Sequence, residues 1–433
     1  MLIHLLRLII QPTAALTAIH KQQGDLVSSR FFGKKLLFVS RPEYFEEIFS
    51  QEARGLLSRD SLYDAKKPVF GDGLFNSKTE IWTPQRRLMQ PFFSRQAISQ
   101  WQDIMLEEVN DMLTRLKESD STEVNISREV KIVIQKILIR VLFGRRPVDQ
   151  GDEQLMDAID AIVKGLFPHF VTETLGKGQF KPLFYLQNRR MTRAISQFTG
   201  YVEAEIERNR RESNSQGLLS LLMQSHDKTG YSMTMELLKD EAVTLFLAGQ
   251  DTSVNTLAWF FYLIGKNAEV QQKISAEIQP FAEEPLSFDL LERLSYTKAA
   301  LYETLRLYPQ AIALSRDSID SIQIGGEHIA KGTSVIMSVY VTQRDPRFWQ
   351  RPQVFYPEHF LPEAVSERHK YAFLPFGAGM HNCIGKHFAE LEMLLIIVAM
   401  LRVFNIKTQA EIKPTLSITY KPERDVKVTL RPL

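Results

Sequence analysis

The 433-residue sequence contains a single cysteine, Cys383. One thiol cannot form an internal disulfide or a zinc site built from several thiolates, so a secreted disulfide scaffold is excluded. A strong excess of one charge is also lacking, since 53 Lys and Arg residues face 51 Asp and Glu residues. The net charge of +2 is too small to indicate nucleic-acid binding. The lone cysteine fits a reducing compartment, and we expect a cytoplasmic protein.

Uninterrupted apolar runs of membrane-spanning length are lacking as well. The N-terminal segment MLIHLLRLIIQ is broken by His4 and Arg7 and is far shorter than the roughly 20 residues that span a bilayer. We expect it to form an amphipathic helix on the protein body, with at most weak membrane contact. The apolar stretch over residues 242–264 carries polar residues at its middle, the costliest depth in a membrane, and therefore predicts a buried helix of a globular core.

Neither a repeat nor a low-complexity linker divides the chain. We therefore predict one domain over residues 1–433, mainly α with small β-sheets (α+β). A β-containing part covers about residues 1–60, with two short strands over residues 25–40 and then a helix from Pro42 to roughly Gln51, and a helical body covers about 80–308. Strands, an irregular meander and the cysteine segment occupy about 309–433. The glycine-broken segment before the helical body predicts a long loop, which either covers a pocket or is a flexible surface loop.

The cysteine lies in the glycine-rich stretch FGAGMHNCIG, Phe376 to Gly385, directly before an apolar helical pattern that runs from Ile384 to Leu401. Taken alone, a single cysteine is most often a small buried hydrophobe. The glycines argue against that role, because a core helix favours alanine or leucine, and they let a large flat group approach the backbone. The amides and dipole of the following helix predict a lowered thiol pKa and hence a thiolate ligand or nucleophile.

The spacing of Phe376, Gly379, His381, Cys383 and Gly385 resembles the haem-binding loop of the cytochrome P-450 family. The resemblance implies the cytochrome P-450 fold, haem b as the cofactor and Cys383 as the axial ligand of its iron. It also implies that Phe376, Gly377 and Gly385 pack at the haem and that His381 binds a haem propionate. Many relatives carry arginine where His381 stands, so a weaker, pH-dependent propionate contact is expected.

Two further segments resemble the propionate-binding parts of that family. Trp82 and Arg86 are four residues apart in IWTPQRRLMQPFF and so share one helix face, where such a pair is ordinarily surface packing. The resemblance implies that both contact the haem carboxylates, for which arginine is well suited. Arg316 lies where relatives often place another propionate-binding arginine.

The segment AGQDTS within the long apolar helix resembles the oxygen-activation segment of the family. Taken without the resemblance, this segment is a short polar stretch within a buried helix. The resemblance implies that Asp251 and Thr252 guide protons to dioxygen and that Ala248 and Gly249 leave room for it. A substrate pocket is expected from apolar side chains of this helix and of a later segment, namely Leu245, Ala248, Ile312 and Ala313.

Glu303 and Arg306, spaced i,i+3, meet on one helix face and by default form an exposed ion pair. Here they resemble the buried Glu-x-x-Arg pair that braces the cysteine loop in the family. The sequence departs from the usual pattern at His359, where relatives carry arginine. Histidine lacks the guanidinium fork and titrates near neutrality, so a pH-sensitive structural network is expected.

The resemblance covers essentially the whole chain and implies a haem-thiolate monooxygenase that uses O2 and hydroxylates or epoxidises an apolar small molecule. Fatty acids, terpenes, polyketides and aromatic compounds all remain candidates, and secondary metabolism is the expected setting. Radical coupling of aromatic substrates and use of peroxide are the alternatives on the same centre. A non-catalytic haem sensor or carrier is a more distant alternative, because it would not need an acid–alcohol pair.

No GxGxxG fingerprint or cysteine cluster appears, so we expect no fused flavin or iron–sulfur reductase. Electrons would come from a ferredoxin or flavodoxin with its own reductase. That donor would dock beside the cysteine loop, where Lys386 and Arg87 offer positive charge. We expect a monomer.

Overall fold

The computed structural model describes residues 11–31, 33–147, 150–176, 185–211 and 217–433. Helices dominate these ranges. They are α1 (Pro12–Gln23), α2 (Pro42–Ala53), α3 (Tyr63–Phe70), α4 (Thr79–Met89), α5 (Arg95–Ser99), α6 (Gln102–Glu118), α7 (Ile126–Phe143), α8 (Gln150–Gly176), α9 (Tyr185–Arg211), α10 (Leu218–Gln224), α11 (Met235–Lys266), α12 (Ala268–Ile278), α13 (Phe288–Arg293), α14 (Ser295–Leu307), α15 (Val339–Thr342), α16 (Pro362–Glu367) and α17 (Lys386–Leu401).

The strands form four small sheets. They are β1 (Leu26–Phe31), β2 (Lys34–Val39), β3 (Leu57–Ser58), β4 (Glu123–Asn125), β5 (Leu314–Ser318), β6 (Ile322–Ile324), β7 (Glu327–Ile329), β8 (Thr333–Met337), β9 (Phe404–Lys407), β10 (Pro414–Leu416), β11 (Tyr420–Pro422) and β12 (Lys427–Pro432). The largest sheet has the order β1-β2-β8-β5-β3, in which β2 and β8 are parallel. A second sheet has the order β4-β12-β9, and β6-β7 and β10-β11 are two-stranded. The first sheet therefore joins the N-terminal strands to strands that precede the cysteine loop.

Helix α11 lies at the centre of the described structure. The side chain of Thr234 caps its first turn by accepting a hydrogen bond from the amide of Leu237, and the helix continues for 32 residues. Because it is apolar on most of its circumference, it is buried against α7, α14, α17 and β11. At both ends the helix extends beyond the apolar stretch of residues 242–264 that predicted it.

Helix α17 begins three residues after Cys383. Every residue from Glu390 to Leu401 is buried, and the helix packs against both α11 and α6. The cysteine loop is thus attached to the most completely buried helix outside α11, which fixes its position relative to the core.

The N-terminal predictions are confirmed for β1, β2 and α2. The expected helix over the first ten residues lies outside the described residues. The long loop predicted before α4 was wrong in part, because the segment contains β3 and the eight-residue helix α3 with Pro68 inside it. Of the described helices, none combines the length and the apolar character needed to cross a bilayer.

Candidate active site

The cysteine loop closes on itself through a hydrogen bond from the amide of Cys383 to the carbonyl oxygen of Phe376, at 2.8 Å. The side chain of Cys383 is accessible to solvent, yet burial of the loop raises the pKa of its thiol. The Gly385 amide and the Arg86 charge act in the opposite direction but are weaker. The predicted lowering of the thiol pKa is therefore wrong for the protein without a bound metal ion. A bound metal ion would itself deprotonate the thiol.

Two glycines of the loop are required by backbone geometry. Gly377 and Gly379 have φ values of +68° and +69°, which residues with a side chain rarely adopt. A Cβ on Gly379 would also lie 2.9 Å from both Glu52 Oε2 and Phe49 Cδ1. Gly385 differs, since its Cβ would meet only the Cys383 sulfur, at 4.0 Å. Gly379 therefore allows helix α2 to approach the loop closely.

Helix α4 brings Trp82 and Arg86 to the cysteine loop. The Trp82 ring lies against the His381 ring with centroids 4.1 Å apart and planes tilted by 55°. Arg86 donates to the carbonyl oxygen of Asn382 at 2.9 Å and to its side-chain oxygen at 2.8 Å. Trp82 and Arg86, which the spacing predicted to share a helix face, thus both contact the same short segment of the loop, His381 and Asn382.

His381 is enclosed and incompletely bonded. Its Nε2 lies 3.6 Å from Glu52 Oε1, and its Nδ1 is buried without a hydrogen-bond partner. Burial lowers the pKa of His381 to about 2, and nearby cations, first Arg59 and then Arg316, act in the same direction. The ring is therefore neutral near neutral pH, so it offers a hydrogen bond and no charge. The predicted contact of His381 with a haem propionate, and its pH dependence, stay predictions.

Four cationic side chains surround His381 and lower its pKa: Arg59, Lys66, Arg86 and Arg316. Sequence reasoning missed Arg59 and Lys66, because the sequence predicted a loop for this segment and basic residues in a loop usually face solvent. Burial lowers the pKa of Arg59 to about 10 and that of Lys66 to about 8. Within the described part of the chain, neither forms an ion pair.

Cations that are buried without a carboxylate are costly unless a ligand supplies the negative charge. The two propionates of haem would supply it. The accessible Cys383 sulfur and the unpartnered His381 Nδ1 belong to the cysteine loop, and the cations lie around His381. The residues present therefore fit a haem group, with the sulfur toward its iron and the cations toward its acidic edge.

Arg316 already has a partner within the protein. Its Nε and Nη2 donate to the two carboxylate oxygens of Glu52 at 2.5 and 3.2 Å, and its Nη1 donates to the Ser315 carbonyl oxygen. Both side chains are almost completely buried. The propionate contact predicted for Arg316 stays a prediction, and Glu52 is a neighbour that the sequence did not indicate.

One face of α11 stays accessible although most of the helix is buried. Leu245, Gly249 and Thr252 are partly exposed, and Ala248 is exposed at the middle of the helix. These positions follow the i, i+3, i+4, i+7 spacing of a single helix face, so they form one accessible stripe along α11. The Thr252 hydroxyl donates to the Ala248 carbonyl oxygen at 2.8 Å, which leaves its lone pairs free to accept a hydrogen bond.

Gly249 also packs against a neighbouring helix, and its predicted role beside dioxygen stays a prediction. A Cβ on this residue would lie 3.1 Å from Leu138 Cδ2 of helix α7. The glycine therefore allows two helices to pack closely. The neighbouring Gln250 also points to α7, where it accepts a hydrogen bond from Gln135 at 2.9 Å. Of the four predicted residues, Ala248, Gly249 and Thr252 thus lie on the accessible face, and Asp251 is partly exposed beside them.

Asp251 is held from outside its own helix. The hydroxyl of Thr419, in the turn between β10 and β11, donates to Asp251 Oδ2 at 2.5 Å. The other predicted pocket residues lie in apolar clusters. Ile312 is buried in a cluster with Phe38 and Tyr420, and Ala313 packs against that cluster. Leu245 packs against the main core.

Glu303, Arg306 and His359 are brought together in the core. Arg306 donates to both carboxylate oxygens of Glu303 at 2.7 Å, and neither side chain is exposed, so the default reading as a surface pair was wrong. Arg306 also donates to the carbonyl oxygens of Gln343 and Pro352 at 2.8 Å. His359 Nδ1 lies 3.1 Å from Glu303 Oε2. The cluster joins α14 to the irregular segment before the cysteine loop.

Two adjacent carboxyls of α11 hold the segment that precedes α4. Asp240 accepts a hydrogen bond from the Asp72 amide at 2.7 Å, and Glu241 accepts from the Leu74 amide at 2.8 Å. Glu241 also accepts from the Gln85 side chain at 2.7 Å. Burial raises the pKa of Glu241 to about 8. Sequence reasoning gave no signal for this anchor, because acidic residues at a helix start usually face solvent.

Comparison with known proteins agrees with these features. The family model described as Cytochrome P450 matches residues 1–429. Cyclooctatin synthase of Streptomyces melanosporofaciens is 27% identical over 416 residues, covering 93% of this chain and 88% of that protein. Cyclooctat-9-en-7-ol 5-monooxygenase of the same organism is 26% identical over 377 residues, covering 86% and 81%.

Human cytochrome P-450 4V2 is 28% identical over 379 residues, which covers 81% of this chain and 71% of that protein. Among solved structures, the heme domain of cytochrome P-450DA superposes with a TM-score of 0.87 at 22% identity, covering 98% of this chain and 93% of that one. This likeness shows the fold. The match to the family over nearly the whole sequence shows that the chain belongs to the cytochrome P-450 family of haem-containing monooxygenases.

Proposed function

We propose that this protein is a haem-thiolate monooxygenase that hydroxylates or epoxidises an apolar, terpene-like small molecule with electrons from a separate redox partner. The observation that carries the proposal is Cys383, the sole thiol, which is accessible at a loop lined by cations and by the neutral His381. The terpene class is supported by the names of the two Streptomyces relatives, one of which oxidises an alkenol at carbon 5. Fatty acids are the second class of apolar substrate that the experiments below compare with terpenes.

When bound, haem supplies the iron at which dioxygen is reduced. The chain's own part is to hold the cofactor, exclude water and deliver protons. In this proposal Cys383 would bind the haem iron, Arg59, Lys66 and Arg86 would hold the propionates, and Trp82 orients His381 by ring contact. Arg316, which is paired with Glu52, adds positive charge at the edge of the same cluster.

Proton delivery is assigned to α11. Thr252 presents hydroxyl lone pairs on the accessible face and can hold a water there, because its own proton is used by the Ala248 carbonyl oxygen. Asp251, partly exposed and next to it, takes a proton from solvent and passes it on, the role of a general acid. Leu245 and Ala248 leave the space beside them to an apolar substrate.

The ligand assignment is tested by replacing Cys383 with serine. The reduced wild-type protein under carbon monoxide should show the strongly red-shifted Soret band of thiolate-ligated haem, and the Cys383→Ser protein should lose it. An unchanged band in the variant would contradict the assignment. Haem content is measured in parallel, so that loss of cofactor is not mistaken for loss of the bond.

The substrate class is tested by titration of the ferric protein with limonene, lauric acid and naphthalene. An apolar substrate that displaces water from the iron shifts the spin state, and limonene should do so at the lowest concentration. A stronger response to lauric acid would replace the terpene proposal by a fatty-acid one, and a stronger response to naphthalene would favour an aromatic substrate. Product analysis by mass spectrometry then separates addition of one oxygen from radical coupling.

A further inference from the structure

Asp251 is connected to a part of the chain that lies 168 residues away. Thr419 occupies the turn of the β10–β11 hairpin, whose strands pair Leu416 with Tyr420. Its hydroxyl donates to Asp251 Oδ2 at 2.5 Å and accepts from Asn255 Nδ2 at 3.0 Å. Asp251 and Asn255 are four residues apart on α11 and so reach the hairpin from the same helix face.

The direction of this hydrogen-bond chain is fixed by its chemistry. A threonine hydroxyl has one proton, and an ionised carboxylate can only accept. Thr419 must therefore donate to Asp251, which leaves its lone pairs for the amide group of Asn255. The chain runs from Asn255 through Thr419 to Asp251, and it engages one of the two carboxylate oxygens.

The hairpin is itself held firmly against the core. The Tyr420 amide donates to the Gln310 carbonyl oxygen at 3.2 Å, and the indole N–H of Trp259 donates to the Tyr420 carbonyl oxygen at 3.4 Å. Thr419 is buried, with 6% of its surface exposed. A hydroxyl fixed in this way restricts the rotation of the carboxylate that it contacts.

We propose that Thr419 is a positioning residue for proton delivery: its hydroxyl holds Asp251 Oδ2 so that the other carboxylate oxygen faces the accessible side of α11 beside Thr252. The inference rests on the proposed role of Asp251. It adds the C-terminal hairpin to the apparatus that the helix segment alone was expected to provide. Thr419 itself does not contact substrate or cofactor in this proposal.

The contact is tested first without turnover. Infrared difference spectra are recorded on the ferric protein without substrate or reductant, and the Asp251 carboxylate stretch is identified by its absence in Asp251→Asn. Thr419→Val keeps the shape of the side chain but removes the hydroxyl, so the stretch should shift. Thr419→Ser should leave it near its wild-type position, as should Thr415→Val on the exposed part of the same hairpin. An unshifted band in Thr419→Val would overturn the proposal.

The consequence for catalysis is tested with whichever of the three probe compounds shifts the spin state. Thr419→Val should lower the ratio of product to hydrogen peroxide about tenfold, which corresponds to about 1.4 kcal/mol. Thr419→Ser should restore the ratio, whereas Thr415→Val should not change it. Failure of serine to restore the ratio would show that packing, not the hydroxyl, matters.

The double variant separates positioning from an independent effect. If Thr419 acts through Asp251, Thr419→Val should cause no further loss in an Asp251→Asn background. Losses that multiply would contradict the proposal. A fully coupled Asp251→Asn protein would overturn the proton-delivery role of Asp251 and with it the function of Thr419, while the infrared result would still report whether the two side chains are in contact.

Discussion

Glu52 and Arg316 form a buried, two-point ion pair beside the cysteine loop. The donor and acceptor atoms are 2.5 and 3.2 Å apart, and the residues are separated by 264 positions in the chain. Glu52 also lies 3.6 Å from His381, and it occupies the space that a side chain on Gly379 would need. One carboxylate thus ties α2 to β5 and to the cysteine loop.

Replacing Glu52 with glutamine should destabilise the protein without added haem by about 3 kcal/mol, because Arg316 would keep its charge in a buried site without a carboxylate. The free energy of unfolding in urea measures this. Glu43→Gln, on the same helix, breaks the exposed pair with Arg41 and should change stability by less than about 1 kcal/mol. Equal effects of the two substitutions would contradict the structural role of Glu52.

Gly379→Ala should destabilise the protein by more than backbone strain alone. A left-handed conformation costs an alanine about 1 kcal/mol, and the new Cβ would also meet Glu52 and Phe49 at 2.9 Å. Gly332→Ala is the matched control, because Gly332 has a φ of +80° and no atom lies within 4 Å of the position that its Cβ would take. Urea unfolding should show a larger loss for Gly379→Ala, and a loss equal to that of the control would mean that the loop yields easily.

The free energy of unfolding should depend on pH through Glu241. Its pKa is about 8 in the folded protein and 4.5 as an ordinary carboxyl, so between these values only the folded state holds the proton. Stability should therefore fall as pH rises from 4.5 to 8, by at most about 1.4 kcal/mol per pH unit. Glu241→Gln cannot titrate and should remove this part of the slope.

The measurement compares urea unfolding of wild type, Glu241→Gln and Glu236→Gln across that range. Glu236 lies in the first turn of the same helix but is exposed, so its substitution should leave the wild-type slope. Parallel profiles for wild type and Glu241→Gln would show that the Glu241 carboxyl does not keep its proton on folding.

His359→Phe should destabilise the protein by about 3 kcal/mol. His359 Nε2 lies 2.6 Å from the Gln350 carbonyl oxygen and Nδ1 lies 3.1 Å from Glu303 Oε2, so the substitution removes both contacts from the core. Hydrogen bonds to a charged partner are worth about 1.5 to 3 kcal/mol. His328→Phe, at an exposed strand position, should stay within about 0.5 kcal/mol. A similarly small effect at His359 would contradict its bracing role.

Thr252→Ala should divert reducing equivalents to hydrogen peroxide, because the variant loses the hydroxyl that can hold a water on the accessible face of α11. Thr256→Ala is the control: its hydroxyl makes the same kind of bond, to the Thr252 carbonyl oxygen, but the side chain is buried. The ratio of product to peroxide is measured for both. Full coupling in Thr252→Ala would exclude the assigned role.

Local patterns predicted the elements that carry the site. The periodicity of the chain gave α11 and α17, alternation gave β1 and β2, and the i,i+4 spacing of Trp82 and Arg86 gave a shared face that does meet the cysteine loop. Each of these signals is contained within one helix, one hairpin or one loop. The resemblance to the family predicted which of these helices, strands and loops lie together at the site.

What the sequence could not predict depends on contacts between distant segments. Glu52 and Thr419 look like solvent-facing residues at the end of a helix and in a turn, and only the fold places them against Arg316 and Asp251. The thiol pKa was predicted in the wrong direction for the same reason. The helix terminus is a local feature, whereas the stronger desolvation comes from the whole surrounding protein.

The anchor between α11 and the segment before α4 uses the main chain of that segment. Asp72 and Leu74 are held through their amides, and Gly71 and Gly73 are required because Asp240 and Thr244 fill the space beside them. Phe75, which follows directly, is 40% exposed and takes no part in these bonds. A substitution at position 75 should therefore leave the loop in place, but it would remove the ring that lies 4.9 Å from the Phe70 ring and 5.1 Å from Lys66 Nζ.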